Sequence, residues 1–591
     1  MTNNQFNLLI YAKDNDLDSQ RSLAKHMDVS LGTANSVIRE CKELEYLDDN
    51  LNITKKGIDA LKPYKVENAI IMAAGTSSRF APLSYEKPKG LLKVKGDILI
   101  EREIRQLQEA GINDITVVVG YMKEKFFYLE DKFGVKLVVN EDYYRYNNTS
   151  TLIRVLDRIG NTYICSSDDY FVDNVFEQYV YKAYYAAVMI KGKSDEFGLI
   201  TSKKGLIEKI NHHPEDMYCM LGHVYFDKDF SKKFCEILKY DYEKVEETKY
   251  QLWEYLYERH IKELEMYIRI YDEDKVKEFD SLDELRAFDD KYLENTGSDI
   301  FKNICETLNC KESDITDIEV ISQGLTNLSF SFVVNDIKYI YRHPGVGTES
   351  YISRKAEAFA MEKAKELNLD KTIIYISPDK GWKLSYFVND AHTMDYHNEK
   401  EVKQALSMMN KLHNAKIHSE YDFGIWNETL KFIDKIEKER KDFNDFDELF
   451  SNMKKLYELT EKDGFEKVLC HCDCYDPNFL VDKNGDMTLI DWEYSGNDDP
   501  GCDMGTFVCC SDYTFDEALH VLDLYYGRKP TDKELRHMLA YISLASYYWF
   551  VWAIYQESLG KLVGEYLLLW YENTKIYMKK AIKLYEGEND G

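Results

Sequence analysis

The feature that most constrains this chain is a polar run that follows an apolar segment near residue 470. It reads His471-Cys472-Asp473-Cys474-Tyr475-Asp476-Pro477-Asn478, and Asp491-Trp492-Glu493 begins thirteen residues after its asparagine. Phosphoryl transfer needs a carboxylate that orients the attacking hydroxyl, and oxygen ligands for Mg²⁺ on the phosphates. The pattern supplies both. We therefore predict that Asp473 is catalytic and that Asn478 and Asp491 hold Mg²⁺.

The residues around this motif change character along the chain. Strand and hairpin patterns run from residue 318 to residue 340, and mostly helical patterns follow from residue 398. A small β-rich lobe before a larger helical lobe predicts a bilobal, protein-kinase-like fold over residues 297–591. In the small lobe we expect three residues at the nucleotide: Asn327 in a hairpin that starts at Gln323, Arg342 at a strand end, and Glu357 on the next helix.

Residues 298 to about 585 resemble the choline/ethanolamine kinase family. The resemblance is carried by Arg342 in place of the kinase lysine, by the runs 491–496 and 501–505, and by the aromatic segment 544–556. It implies ATP and choline as substrates. Trp549 and Trp552 share a helix face, and with Glu493 they are the residues we expect to bind choline. The alternative for the two tryptophans is an aromatic stripe of the core.

A second phosphate-handling pattern precedes the first. An apolar strand ends in Ala73-Ala74-Gly75-Thr76-Ser77, with Arg79 just beyond it and Lys89 fourteen residues after the glycine. Backbone N–H groups of such a loop can hold a triphosphate, and fixed cations can stabilise the departing pyrophosphate. We predict that the loop binds nucleotide and that Arg79 and Lys89 are catalytic.

The surrounding region alternates strands and helices. Strands predicted at 115–119 and 136–139 alternate with helical stretches such as 99–110. This alternation predicts a doubly wound, Rossmann-like α/β domain over residues 65–296.

Residues 66 to about 295 resemble the sugar-nucleotide pyrophosphorylase superfamily, and within it the bacterial CTP:phosphocholine cytidylyltransferases. The resemblance implies CTP and phosphocholine as substrates and Mg²⁺ held by Asp168 and Asp280. The alternative for Asp280 is a helix N-cap. Ser77 departs from the usual second glycine of the loop. Trp253 is the residue of this domain that we expect to bind the choline group.

Residues 1–64 resemble a winged helix-turn-helix, with helices at 19–27 and 33–44 and a wing at 51–57. DNA binding would require a basic surface, whereas acidic and basic residues are balanced here and the whole chain carries a net charge of -29. Such a charge repels phosphate backbones. We therefore favour a docking or regulatory module and expect no nucleic-acid partner.

The remaining features of the sequence limit the class of protein that this chain can belong to. The N-terminus lacks a signal-peptide pattern, and the apolar stretch 541–555 is too short and too rich in tyrosine and tryptophan for a membrane span. We expect a cytoplasmic protein with no membrane partner and twelve reduced cysteines.

The two domains resemble enzymes that catalyse consecutive reactions. Together they predict a bifunctional enzyme that makes phosphocholine and then CDP-choline. Three alternatives remain open: the same reactions on ethanolamine or another aminoalcohol, an aminoglycoside phosphotransferase, and a transcription factor with degenerate enzyme domains. A homo-oligomer is compatible with the sequence.

Overall fold

The computed structural model describes residues 1–15, 20–279, 281–321, 327–345 and 352–587. The chain divides into two compact units, Met1–Asn303 and Ile304–Gly591. Two segments to which the sequence assigned roles, Asp280 and residues 323–326 of the hairpin, lie outside the described residues.

The first 64 residues are helical. Their helices are α1 (Asn3–Asp14), α2 (Gln20–His26), α3 (Leu31–Glu43) and α4 (Lys55–Leu61). Leu47 and Ile53 form an antiparallel bridge between α3 and α4. The prediction that the wing extends through Gly57 was wrong. The Thr54 hydroxyl accepts a hydrogen bond from Gly57 N (3.1 Å) and so caps a helix that begins at residue 55. The winged-helix assignment stays a prediction.

The rest of the first unit is a mixed sheet with helices. Its strands are β1 (Asn68–Ala73), β2 (Lys93–Val94), β3 (Asp97–Ile98), β4 (Ile115–Val119), β5 (Lys136–Val139), β6 (Thr162–Ser166), β7 (Asp169–Phe171), β8 (Tyr184–Lys193), β9 (Gly198–Thr201), β10 (Ile207–Asn211), β11 (Glu215–Phe226), β12 (Tyr267–Tyr271) and β13 (Val276–Glu278). Its helices are α5 (Leu83–Glu86), α6 (Leu99–Glu109), α7 (Tyr128–Phe133), α8 (Thr149–Leu152), α9 (Lys228–Lys244), α10 (Trp253–Arg259), α11 (Leu282–Phe288) and α12 (Lys291–Glu294). Helix α13 (Asp299–Leu308) crosses into the second unit.

The main sheet runs in the order β10-β9-β11-β6-β1-β4-β5. Strand β1 pairs in parallel with β4 and β6, and β4 pairs in parallel with β5. Because parallel strands are covered on both faces, all five residues of β4 are buried, and four of them are apolar. The carboxyl ends of β1 and β6 therefore meet at one edge of the sheet. The predicted Rossmann-like α/β architecture is confirmed.

The N-terminal helices are fixed to this sheet by an aromatic cluster of Phe6, Tyr64 and Tyr181, whose ring centroids lie 5.3–5.5 Å apart. The Tyr181 hydroxyl also donates to the carbonyl of Met1 (3.0 Å). Val180 N donates to the carbonyl of Tyr64 (2.9 Å). The contact therefore holds the segment that leads directly into β8.

The second unit has two lobes. Its strands are β14 (Thr316–Ile321), β15 (Asn327–Val334), β16 (Ile337–Pro344), β17 (Ile373–Ile376), β18 (Lys383–Tyr386), β19 (His392–Thr393), β20 (Val468–Cys470), β21 (Phe479–Val481), β22 (Met487–Leu489) and β23 (Gly496–Asp498). Its helices are α14 (Arg354–Glu366), α15 (Glu399–Asn414), α16 (Ile425–Ile433), α17 (Phe446–Asp463), α18 (Gly501–Cys509), α19 (Phe515–Tyr526), α20 (Asp532–Ser558) and α21 (Tyr566–Glu586). An antiparallel sheet of order β14-β15-β16-β18-β17 precedes the helical lobe, so the predicted kinase-like layout is confirmed.

Helix α20 is the centre of the helical lobe. Among the described residues it is the one helix long and apolar enough to cross a membrane, and 89% of its apolar window is buried inside the protein. Helix α18 approaches it closely, because a Cβ on Gly505 would lie 2.5 Å from the carbonyl oxygen of Tyr541. A glycine is therefore required at this crossing.

The aromatic cluster gives a stability prediction. We expect Phe6→Ala to lower the free energy of unfolding by about 3 kcal/mol, because it removes a buried ring from a packed cluster. Ile58→Ala, at an exposed position of α4, should change it by less than about 0.5 kcal/mol. Denaturant unfolding measures both. Equal midpoints for the two variants would contradict the proposed packing.

Candidate active sites

The first candidate site is a cavity at the carboxyl end of β1. It has a volume of about 450 Å³ and is lined by every predicted loop residue from Ala73 to Ser77, and by Lys89 and Asp168. Tyr146, Asn147 and Asn148 form part of its wall. Ser77 adopts a left-handed conformation (φ 48°, ψ 44°), which glycine favours. The serine therefore keeps the backbone shape of the glycine that it replaces.

Lys89 is fixed in this cavity by an ion pair. Its ammonium lies 2.7 Å from Asp168 Oδ2, and its side chain is only 6% exposed. The neighbouring Gly90 permits the approach, because a Cβ there would lie within 3 Å of Ser167. The sequence-predicted pair Lys89 and Asp168 thus meets at one point, where the ends of β1 and β6 converge.

A group of carboxylates lies next to this ion pair. Strand β13 pairs with β7 and places Glu278 opposite Asp169. Burial raises the pKa of Asp169 well above its usual range, and the charges of Glu278 and Asp168 raise it further. Within the described residues, neither carboxylate oxygen of Asp169 has a hydrogen-bond partner. Such a group of oxygens fits a divalent cation. Sequence analysis missed Glu278, because it selected Asp280 on the same segment.

Arg79 lies where two further cavities meet. One, of about 230 Å³, is shared with Lys89, Asp168 and Glu278. The other, of about 1340 Å³, is also lined by Phe197 and by side chains of β8 and α10. Arg79 therefore lies between the cavity of Lys89 and Asp168 and a larger cavity.

The larger cavity has aromatic walls that the sequence did not identify as a group. Phe197 and Tyr255 lie 5.3 Å apart, and His212 stacks on Tyr255 at 5.5 Å. The carboxylate of Glu258 hydrogen-bonds His212 (2.9 Å). Aromatic faces with nearby carboxylates suit an organic cation.

Trp253 requires a correction. It is 1% exposed and packs against Tyr185, Phe226 and Phe234 in the core. No ring face is left for a ligand, so the predicted choline-binding role does not agree with the structure. The aromatic residue of α10 that does line the cavity is Tyr255.

The second candidate site is the loop that carries Asp473. The side-chain amide of Asn478 donates to both the carbonyl (2.8 Å) and the carboxylate (3.0 Å) of Asp473. This use of Nδ2 leaves the side-chain oxygen of Asn478 for a cation. Burial raises the pKa of Asp473 well above its usual range, and the Asp491 charge adds to the rise. A bound cation would offset this concentration of negative charge.

A buried carboxylate holds that loop in place. Asp503 accepts hydrogen bonds from His471 N (3.0 Å) and Cys472 N (2.6 Å), and from the His413 ring (2.9 Å). Burial raises the pKa of Asp503, but these hydrogen bonds lower it overall. His471 makes a structural contact: its ring nitrogen Nε2 hydrogen-bonds the Ile490 carbonyl (2.9 Å), and burial lowers its pKa.

Arg342 joins the small lobe to the catalytic loops. Its guanidinium forms an ion pair with the fully buried Glu357 and lies 3.4 Å from Asp491. Arg354 contacts the same glutamate (3.0 Å). Burial tends to raise the pKa of Glu357, but the surrounding cations lower it overall. The predicted Arg342–Glu357 pair is therefore present, and it reaches a predicted metal ligand.

Two other predicted residues belong to this network. The Asn327 amide donates to the Glu493 carboxylate (2.8 Å) and accepts from Arg354 (3.2 Å). Glu493 is buried, and its carboxylate lies 3.6 Å from Arg354. Burial and the Asp491 charge raise the pKa of Glu493 to about 7. Glu493 also lines a cavity of about 570 Å³ with Tyr494 and Tyr548, and its choline-binding role stays a prediction.

The two predicted tryptophans form part of an aromatic wall. Trp549 and Trp552 are nearly perpendicular, with ring centroids 5.5 Å apart, and Trp570 lies 5.9 Å from Trp549. Tyr494 and Tyr566 extend the wall, at 6.1 Å from Trp549 and 5.2 Å from Trp570. Trp549 is buried and Trp552 is half-buried. Sequence analysis missed Trp570 and Tyr566, because nothing local links α21 to the tryptophans of α20.

Tyr494 connects this wall to the predicted phosphate-handling loop, because it lies three residues after Asp491 in the chain and its ring centroid is 6.1 Å from that of Trp549.

Comparisons with known proteins agree with this division of the chain. Residues 318–544 match the family model described as choline/ethanolamine kinase, and residues 69–218 match the MobA-like NTP transferase domain. A 2-aminoethylphosphonate cytidylyltransferase from Lancefieldella rimae is 34% identical over 38% of this chain and 93% of its own length. A choline-phosphate cytidylyltransferase from Streptococcus pneumoniae is 31% identical over 38% of this chain and 96% of its own length.

The chain is a fusion of a choline-phosphate cytidylyltransferase-like domain and a choline/ethanolamine kinase domain. Among solved structures, a choline kinase from Streptococcus pneumoniae is 24% identical, covers 48% of this chain and 100% of its own length, and gives a TM-score of 0.41. The fusion is an enzyme that combines a kinase with a cytidylyltransferase.

The arginine network gives a prediction for the kinase domain. Arg342→Lys should lower kcat/KM for ATP roughly 30-fold, about 2 kcal/mol, because a lysine ammonium cannot contact Glu357 and Asp491 with a planar fork. Steady-state kinetics measure the change.

The matched control is Arg528→Lys, which replaces an exposed arginine paired with Glu534 (2.7 Å) on the same domain. It should leave kcat/KM unchanged. Equal kinetics for the two variants would show that the Arg342 contacts do not support catalysis.

Proposed function

We propose that this enzyme phosphorylates choline with ATP and then transfers CMP from CTP to the phosphocholine, releasing CDP-choline and pyrophosphate. The observation that carries the proposal is the aromatic wall of Trp549, Trp552 and Trp570, which Tyr494 connects to the loop of Asp491. A trimethylammonium group has a diffuse charge and no hydrogen-bond donors, so aromatic faces bind it well.

Ethanolamine is the second candidate for the kinase. A primary ammonium loses hydration when it is buried and needs close acceptors in return. The nearby Glu493 carboxylate already contacts Asn327 and Arg354, so it is poorly available to such a group. The wall therefore favours choline.

2-Aminoethylphosphonate is a second candidate for the transferase, because a relative with that name resembles this domain. A phosphonate contains a P–C bond, which a kinase does not form. An alcohol kinase on the same chain supplies a phosphate monoester, and the fusion therefore favours phosphocholine over a phosphonate.

In the kinase step, Asp473 orients the choline hydroxyl and accepts its proton, while Arg342 holds ATP phosphate oxygens. Asn478 and Asp491 would hold Mg²⁺, which neutralises charge on the phosphates. Glu357 and Arg354 keep the Arg342 fork in place. Transfer of the phosphoryl group requires little from the protein beyond positioning of the reactants and stabilisation of negative charge.

In the transferase step, a phosphocholine oxygen attacks the α-phosphorus of CTP in line with the departing pyrophosphate. The Gly75 loop binds the triphosphate through backbone N–H groups, and Lys89 and Arg79 stabilise the negative charge. Asp168, with Asp169 and Glu278, would hold Mg²⁺. The cavity lined by Phe197 and Tyr255 would receive the choline group.

A coupled assay tests the proposed substrates. The full-length enzyme is given ATP, CTP and either choline or ethanolamine, and separately CTP with either phosphocholine or 2-aminoethylphosphonate. We expect CDP-choline from the first set and faster turnover of phosphocholine in the second. Equal kcat/KM values within either pair would refute that part of the proposal.

The two activities should respond to different substitutions. Asp473→Asn should abolish choline phosphorylation and leave the conversion of added phosphocholine to CDP-choline intact, because each carboxylate serves its own nucleotide site. Asp168→Ala should do the opposite, since it removes the partner of Lys89. If Asp473→Asn also stopped cytidylyl transfer at saturating phosphocholine, separate sites would be excluded.

The aromatic wall should act through substrate binding. Trp552→Ala should raise KM for choline about tenfold with little change in kcat or in KM for ATP, because the head group is bound alike in the ground and transition states. The KM of the Trp552→Phe variant for choline should lie between the values of Trp552→Ala and the wild type.

Trp426→Phe is the control for a tryptophan outside the wall, since Trp426 stacks on Phe450 and Tyr457. It should leave every kinetic constant unchanged. A loss of kcat without a rise in KM for Trp552→Ala would contradict a binding role.

A further inference from the structure

The C-terminal turn of α13 carries two cysteines in a geometry that brings their side chains together. Cys310 N donates to the carbonyl of Cys305 (3.1 Å), five residues earlier. Asn309 between them has φ 52°, the left-handed conformation. This combination is the Schellman ending of a helix, in which the side chains of the first and last residues pack on each other.

Five other helices in the described part of the chain end with the same backbone hydrogen bond. It joins Ile112 to Leu107, Leu369 to Ala364, Val29 to Ala24, Tyr46 to Cys41 and Lys561 to Gln556. The first three pairs are apolar and mostly buried. In α13 both positions are thiols, and both cysteines are partly exposed.

We propose that Cys305 and Cys310 form a dithiol that exchanges with low-molecular-weight disulfides and closes to an intramolecular disulfide. A disulfide requires closely spaced Cα atoms and converging side chains. The backbone hydrogen bond of 3.1 Å between residues five apart holds the two Cα atoms near each other.

The two sulfurs have different roles in the exchange. Burial raises the pKa of both thiols. The neighbouring Cys310 raises the pKa of Cys305 further, whereas Cys305 lowers that of Cys310. Cys310 is therefore the more readily ionised thiol of the two and attacks first. It displaces one thiol from the reagent disulfide and forms a mixed disulfide. Cys305 then attacks the Cys310 sulfur and releases the second thiol. The protein loses two electrons, and the two protons leave on the released thiols.

The chain contains a suitable control. Cys235 is also partly exposed, and its thiol donates to the carbonyl of Leu156 (3.7 Å). It belongs to α9 and has no vicinal thiol partner among the contacts of the described residues. The other nine cysteines are buried.

The test treats the full-length protein with oxidised glutathione, blocks free thiols by alkylation and maps the peptides by mass spectrometry. In the wild type we expect the peptide with Cys305 and Cys310 to lose two hydrogen atoms, to carry no glutathione, and to revert with dithiothreitol. Closure is intramolecular, with an effective thiol concentration of roughly millimolar, so the mixed disulfide should be short-lived.

Two variants separate the roles. Cys305→Ser should stop the reaction at a glutathione adduct on Cys310, and Cys310→Ser should react about tenfold more slowly at Cys305. Cys235→Ser should behave as the wild type. Stable adducts on both cysteines of the wild type, or modification of Cys235 alone, would overturn the proposal. Equal rates for the two variants would overturn the order of attack.

Discussion

The kinase half of this molecule depends on one buried carboxylate. Asp503 accepts hydrogen bonds from two consecutive backbone amides, His471 and Cys472, and from the His413 ring. Cys472 has φ 66°, a conformation that a non-glycine residue holds only when its surroundings compensate the strain. The charged hydrogen bonds of Asp503 supply that compensation. These hydrogen bonds fix the direction in which the next residue, Asp473, points. The positions of Asn478 and of the aromatic wall are then defined relative to Asp473.

Both sites combine fixed cations with grouped carboxylates. In the kinase domain, Arg342 and Arg354 surround the buried Glu357, while Asp473 and Asp491 concentrate negative charge on the neighbouring loops. In the transferase domain, Lys89 contacts Asp168 while Asp169 and Glu278 add further carboxylates. A cation would stabilise the ionised form of the carboxylates in either group.

The sequence predicted site residues that lie close together along the chain better than site residues that lie far apart along it. Lys89, Asp168, Asp473, Asn478 and Asp491 lie in short motifs whose residue types and spacing express the chemistry directly, and the structure brings each group together. Glu278, Tyr255, Trp570 and Tyr566 reach the sites through strand pairing or helix packing that no local pattern reports. Trp253 was misassigned because its residue type suits an organic cation, whereas its side chain is buried in the core.

The first turn of α13 has a consequence for where the transferase ends. Ile300 N donates to the carboxylate of Glu86 (3.1 Å), three residues before Lys89, and Ser298 bonds the same group. The predicted boundary at residue 296 would cut these donors away and leave a half-buried carboxylate without them, at a cost of about 1–3 kcal/mol. Glu86, near the predicted catalytic Lys89, is thus supported by residues beyond the predicted domain boundary. An isolated transferase that retains this contact has to extend at least through Ile300.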